Sequence, residues 1–278
     1  MKLTVFTAPK PFEGHVGVIQ RNAIRSWQLL DRDCEVILFG NEAGTAEVAR
    51  ELSLRHVPDV ARNEYGTPRL DDLFAQAEQQ SQHSLLCYAN SDIILLHDFS
   101  RAVDGLATRL SKFVMIGRRF DLDVEGPLSF AAGWDDQLRR DVQQRGQRHS
   151  PQGIDYFVFP RGAFGEIPPF AIGRTVWDHW LIYRALCRGH RVVDASGVVK
   201  AVHQNHDYAH HGEGRAGIWD GAEAQQNREL AGRWPRVYDV RDANWVLTRF
   251  GLMPALTPMR IYRRLAHWLL CGMWSRES

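Results

Sequence analysis

The sequence predicts an α/β fold: a mostly parallel central sheet flanked by helices, Rossmann-like in its first half, with a helical C-terminal extension. Three observations predict it. Short runs that are apolar on both faces, Leu3–Thr7, Glu35–Phe39 and Leu85–Ala89, suit strands buried inside a parallel sheet. Segments of helical period separate them, and strand–helix alternation implies parallel strands. Each run ends in a polar or Pro/Gly loop, at 8–14, 40–42 and 90–92, so these loops should share one edge of the sheet.

In chain order, Leu3–Thr7 leads through Ala8-Pro9-Lys10-Pro11 to a helix over Val16–Leu30, with Ile19, Ala23, Trp27 and Leu30 on one stripe. Glu35–Phe39 is the second strand, Thr45–Leu54 a short helix, and His56-Val57-Pro58 a short third strand. The loop 62–69 precedes a helix at Asp72–Gln80. Leu85–Ala89 is the central strand, broken by Asn90-Ser91-Asp92 before a second apolar run, Ile93–Leu96. A helix over Phe99–Leu110 and a strand over Phe113–Gly117 follow. Arg118–Ser150 reads as a polar surface insertion carrying one helix, Trp134–Gln144, and no strand. Then come a strand Ile154–Phe159, a turn at 161–165, an irregular Pro168-Pro169 stretch, a helix Val176–Arg188, a strand Arg191–Ala195 and a last strand Val198–Val202. Residues 203–211 hold four of the twelve histidines, and the remainder reads as helical and peripheral. The organisation expected is one domain over 1–211 with an extension over 212–278.

Composition excludes several classes. The chain has 278 residues, with 34 Lys+Arg against 33 Asp+Glu. No basic field calls for nucleic acid. Cys34, Cys87, Cys187 and Cys271 form no C-x-x-C pair, so neither a zinc site nor a disulfide framework is indicated. The opening residues read as a strand rather than a secretory leader. No apolar run of about 18 residues is present to span a bilayer. A cytoplasmic setting is expected, with contact on the inner face of a membrane left open.

Three polar clusters follow strands or open a helix: Asn90–Asp92, Trp177-Asp178-His179 and residues 203–211. Each has an ordinary reading. Asn-Ser-Asp is good turn chemistry, Asp178 suits a helix N-terminus, and a His-rich loop is often only solvated. Against these, a carboxylate between two apolar runs is costly to bury alone, and ligands collect at the carboxyl ends of strands. Aspartate with histidine is also a ligand set for manganese or, through oxygen, magnesium.

In that order along the chain, the clusters resemble those of GT-A fold nucleotide-sugar glycosyltransferases, in particular bacterial family 2-like members. The resemblance covers residues 1–211. Asn90-Ser91-Asp92 stands where the family has an Asp-x-Asp triplet, with Asn90 in place of the first Asp. The resemblance implies that Asp92 binds a divalent cation, Mn2+ or Mg2+, on the donor diphosphate, with Asn90 and Ser91 beside the donor. Gly153-Ile154-Asp155 or Arg161-Gly162 is similar to a glycine-bearing loop. Trp177-Asp178 is similar to the family's x-Glu-Asp end, with Trp177 for the Glu. Asp178 is then the general base of an inverting reaction, or only orients substrate in a retaining one. His203 or His206 would match the histidine that closes the metal site. Lys10 and Arg69 are cations able to face a phosphate, or ordinary surface charges.

The activity implied is sugar transfer from a nucleotide sugar to a glycan or lipid-linked acceptor, in bacterial polysaccharide or glycoconjugate assembly. Two other classes stay open: a binding module that has lost catalysis, since Asn90 and Trp177 replace acids, and a nucleotidyltransferase. The latter would want more Gly and Arg/Lys in the first loop than 8–14 offers. Finally, Pro258–Trp274 should be a helix with Pro258 at its start and Ile261, Leu265, Trp268 and Leu269 on one stripe, Tyr262 at its edge. Arg260, Arg263 and Arg264 cluster at its opening. The stripe packs on the domain or a second subunit, or it makes a peripheral membrane contact through 258–274.

Overall fold

The computed structural model describes residues 2–206, 219–232 and 238–274. Residues 207–211, half of the histidine run, lie outside the described residues.

The expected parallel half is present. Leu3–Thr7 (β1), Gly14–Gln28 (α1), Cys34–Phe39 (β2), Thr45–Glu51 (α2), Arg55–Val57 (β3), Leu70–Gln80 (α3) and Leu85–Ala89 (β4) follow in strict alternation. β1 pairs in parallel with both β2 and β4, and β2 with β3. The loops after β1, β2 and β4 therefore open on one edge. The chain continues through Ile93–Leu95 (β5), His97–Ala107 (α4), Phe113–Ile116 (β6), Arg119–Leu122 (β7), Trp134–Arg145 (α5), Gln147–Arg148 (β8), Tyr156–Pro160 (β9), Trp177–Cys187 (α6), Arg191–Asp194 (β10) and Ala201–Gln204 (β11). Ala222–Ala231 (α7), Trp245–Thr248 (β12), Gly251–Pro254 (β13) and Pro258–Trp274 (α8) complete it.

Nine strands form one mostly parallel sheet in the order β13-β12-β10-β6-β9-β4-β1-β2-β3. β9 is inverted between β4 and β6. Its first residues, and Asp155 just before them, thus lie at the edge where β4 ends. A second sheet, β5-β11-β7-β8, stands beside it. Each face of the large sheet carries an apolar layer. On one, Phe6, Phe74 and Phe159 pack with centroids 5.1 and 5.4 Å apart, with Phe164 4.8 Å from Phe159. On the other, Ile24 and Trp27 of α1 and Phe99 of α4 cover Leu3, Val5 and Cys87.

Three expectations need correction. Arg118–Ser150 is not a strandless insertion: it supplies β7 and β8. Arg119-Phe120-Asp121-Leu122 alternates polar and apolar, the period of a half-buried strand. Phe120 and Leu122 join a small core with Ile94, Val142 and Val202, leaving Arg119 and Asp121 for the other face. The last core strand is Ala201–Gln204, not Val198–Val202, because it is fixed by pairing between β5 and β7, Ala201 lying opposite both Leu95 and Arg119. His203 is thus a strand residue. The remainder is not purely helical, since β12 and β13 extend the large sheet from β10.

α8 meets the body through its polar side. Arg260 pairs with Asp194 at 2.5 Å, Arg263 Nε donates to Asp242 at 2.7 Å, and His267 Nδ1 lies 2.6 Å from the Tyr238 hydroxyl. The apolar stripe points outward, so it does not pack on the domain.

Candidate metal and donor site

Asp92 sits at the carboxyl end of β4, just before β5. Its backbone carbonyl is pinned by buried Gln204, whose amide donates to it at 3.1 Å and to Ile19 at 2.7 Å. Two imidazoles meet its carboxylate. His206 Nε2 is 3.2 Å and His203 Nε2 3.8 Å from Oδ2. The other oxygen, Oδ1, is buried without a hydrogen-bond partner. Ligand atoms of Asp92, His203 and His206 lie within 4.8 Å of one another, a spacing able to hold one metal ion. Leaving a buried carboxylate oxygen unpaired is costly, and a cation bound here would remove that cost. The residues fit a divalent ion: one carboxylate with two imidazoles suits manganese, and the carboxylate alone magnesium.

Burial by itself raises the Asp92 carboxyl, but the His206 hydrogen bond and the charges of His203 and Lys10 hold it far below the usual carboxylate range. Burial disfavours the charged form of His203, yet the Asp121 and Asp92 carboxylates outweigh it and raise its pKa.

Asp121, on β7, stands behind His203. Its Oδ1 is 3.3 Å from His203 Nδ1, and its Oδ2 is 2.6 Å from His149 Nδ1. A carboxylate on Nδ1 turns Nε2 toward Asp92, as carboxylates behind metal-binding histidines do. Arg119 joins Asp121, at 2.9 Å from Nε, to Asp155, at 3.0 Å from a terminal nitrogen. Asp155 in turn accepts from the Asn90 amide at 2.7 Å, and its backbone carbonyl from Asn90 N–H at 2.9 Å. None of Arg119, Asp121 and His149 was singled out from sequence, and Asp155 only as a loop residue. The alternation of residues 119–122 was the available signal.

The first loop reaches this site through Gln20 of α1. Its Oε1 accepts from Lys10 N–H and from the Ser91 hydroxyl, both at 2.7 Å, while its amide donates to the Lys10 carbonyl at 2.9 Å. Lys10 is thereby brought close enough to sense the Asp92 charge. Burial lowers its pKa, Asp92 opposes this, and Arg174 adds to it. The side chains of Asn90 and Ser91 bond within the protein: Asn90 Oδ1 accepts from Tyr88 at 3.0 Å.

Asp178 lies in the first turn of α6. Trp177 packs edge-on against Tyr88 with centroids 5.3 Å apart, which brings α6 to the end of β4. The preceding Val176 holds φ at +87°, rare for a β-branched residue and costing about 1–3 kcal/mol. Burial raises the Asp178 carboxyl, His179 opposes it, and Asp155 adds to the rise. The Tyr88 hydroxyl is likewise pushed up, first by burial and then by Asp92, Asp155 and Asp178. His179 Nε2 is 3.9 Å from Asp178 Oδ1, and its Nδ1 donates to the Tyr238 carbonyl.

Arg69 is placed elsewhere. Its guanidinium pairs with Asp71 at 2.5 Å. It lines an open cavity of about 550 Å³ with Arg62, Asn63, Pro169, Gln226, Glu229 and Leu230. None of these belongs to the Asp92 cluster.

Among solved structures, residues 1–349 of S. aureus TarS are similar to this chain. The TM-score is 0.50 and the identity 10%, over 73% of this chain and 60% of that one. The fold resembles that of TarS. A complex of the same TarS fragment with UDP-GlcNAc matches with a TM-score of 0.50 at 10% identity, over 74% of this chain and 59% of that one. The mannosyltransferase PcManGT from Pyrobaculum calidifontis, in complex with GDP-Man and Mn2+, has a TM-score of 0.46 and 16% identity, over 72% of this chain and 56% of that one. This chain thus spans about 60% of the TarS fragment. No protein-family model and no curated protein matches the sequence.

Proposed function

We propose that this chain is a glycosyltransferase, moving a sugar from a nucleotide-sugar donor to an acceptor hydroxyl of a glycan or lipid-linked substrate. The observation that carries the reading is the Asp92 carboxylate. It is half-buried at a strand end, flanked by two imidazoles, and has one buried oxygen unpartnered. The fold shared with TarS, whose structure holds UDP-GlcNAc, supports the same reading.

Asp92, His203 and His206 hold a divalent cation, Mn2+ or Mg2+. When bound, it neutralises charge that builds on the diphosphate leaving group. Lys10 supplies a second positive charge from the first loop. Asn90 and Ser91 form the floor beside Asp92. Arg69, tied to Asp71, is given no donor contact. Asp178 accepts the proton of the acceptor hydroxyl as it attacks. Its raised pKa suits a general base better than an ordinary carboxylate, because base strength rises toward working pH.

A thermal-shift screen with UDP-, GDP-, CMP- and dTDP-sugars, with and without manganese, tests the reading. One donor class should stabilise the protein only with the ion present, by about 2.7 kcal/mol at a hundredfold excess over Kd. Slow release of nucleotide should accompany it, and Asp92→Asn should abolish both. Stabilisation without turnover leaves a binding module. No response to any nucleotide sugar ends the reading.

A further inference from the structure

Among the described residues, α8 is built inside out. Soluble amphipathic helices turn their apolar stripe to the core and their charges to water. Here Arg260, Arg263 and His267 face the body and are engaged there. Ile261, Tyr262, Leu265, Trp268 and Leu269 face outward, with Trp268 71% and Leu265 59% exposed. The segment leading into α8 continues the pattern. Met253 and Leu256 are exposed, as are Phe250 at the turn between β12 and β13 and Met259 in the first turn of α8. So many large apolar side chains left uncovered in one stretch mark an interaction surface.

Charge says what covers it. From Ala243 to Ser275 the sequence carries four arginines and no carboxylate side chain; Arg260 and Arg263 are taken up by Asp194 and Asp242 of the body, which leaves Arg249 and Arg264 for the outer surface. Arg264 is exposed on the helix, and Arg249 is exposed beside Phe250, 4.6 Å from its ring centroid. Arg109 approaches the same turn at Gly251. A second copy of this surface would set like charge against like. An anionic bilayer complements it, with acyl chains for the apolar stripe and headgroups for the guanidinium groups. Aromatic residues such as Tyr262 and Trp268 favour that boundary. Seventeen residues make a helix about 25 Å long. No described helix is long and apolar enough to cross a membrane, and α8 is tied to the body along its polar side, which lays its opposite face along a surface.

We propose that the outer face of α8, with the exposed residues leading into it, docks in the interface of an anionic lipid bilayer. The proposal stands apart from the glycosyltransferase reading, since donor binding in solution does not involve this face.

The test is sedimentation of the full chain with vesicles of phosphatidylcholine alone, or of phosphatidylcholine with phosphatidylglycerol, at low salt. The protein should partition into the anionic vesicles at least tenfold more strongly. Leu265→Glu with Trp268→Glu should abolish recovery while leaving the melting temperature unchanged, because both side chains stand in solvent. High salt should weaken binding of the unaltered chain by screening. Three results overturn the proposal: no binding to either vesicle, equal binding to both, or equal binding by the double variant. A fourth also does so: a dimer in solution that the double variant splits, which assigns the face to a second copy.

Discussion

Asp121 touches no expected ligand of the donor, yet its replacement should be felt at the cation. Asp121→Asn keeps the side chain's size and removes its charge. In the native arrangement the carboxylate lies 3.3 Å from His203 Nδ1, outside hydrogen-bond geometry but near enough for its charge to favour a proton on Nδ1 and a bare Nε2 toward Asp92. An amide at this position offers an N–H as readily as an oxygen, and the N–H selects the opposite tautomer, with the proton on Nε2. The three ligands themselves survive, so the loss should match that of other groups standing behind metal-bound histidines, roughly 10–100-fold in affinity. That is about 1.4–2.7 kcal/mol. The fold should tolerate the change, because Arg119 keeps Asp155 at 3.0 Å. Calorimetric titration of manganese into the ligand-free protein, beside a thermal melt, measures both. Affinity within threefold of the unaltered protein, with the melt intact, would refute the argument that Asp121 sets the tautomer of His203.

Asp178→Ala should lower turnover by roughly 10²–10⁴-fold, the usual worth of a general base, with donor-induced stabilisation unchanged. An equal loss in donor affinity marks a binding residue instead. His203→Ala with His206→Ala should raise the manganese concentration needed for half-maximal activity, and an unchanged requirement removes both from the cation site. Glu223 is raised by burial, but hydrogen bonds from Asn63 and Thr67 and the Arg174 charge bring its pKa below the ordinary 4.5. Its folded value is depressed, so its contribution to stability is present above pH 4.5 and fades as pH falls through the lower folded value. Arg174→Gln should therefore narrow the difference in urea midpoint between pH 6 and pH 3.5, and an unchanged difference would show that the pair does not matter.

The parallel half was legible because its strands are fully buried, and full burial writes itself as unbroken apolar runs. Asp92 stood out for the same reason, a carboxylate set between two such runs. β7 was missed because a half-buried strand of four residues with two charges looks like surface. Its alternation is visible only when Arg119 and Asp121 are read against Phe120 and Leu122. Asp155 could not be assigned from sequence, since the inverted pairing of β9, with Tyr156 opposite Ala89, is what carries it to Asn90. For α8 the period named the residues that share a face. It could not say which face meets the body, because that depends on Asp194 and Asp242, which lie far off or on another element.

The contact between Asp92 and His206 spans 114 residues of chain, and β5 reaches β11 only by antiparallel pairing across a similar interval. Closing so long an interval brings no reward until both ends are ordered. The candidate cation site can therefore be complete only once this long interval has closed. On the ribosome, a nascent chain that has not yet exposed His206 has no complete site to offer, however well its β1–β4 half is formed.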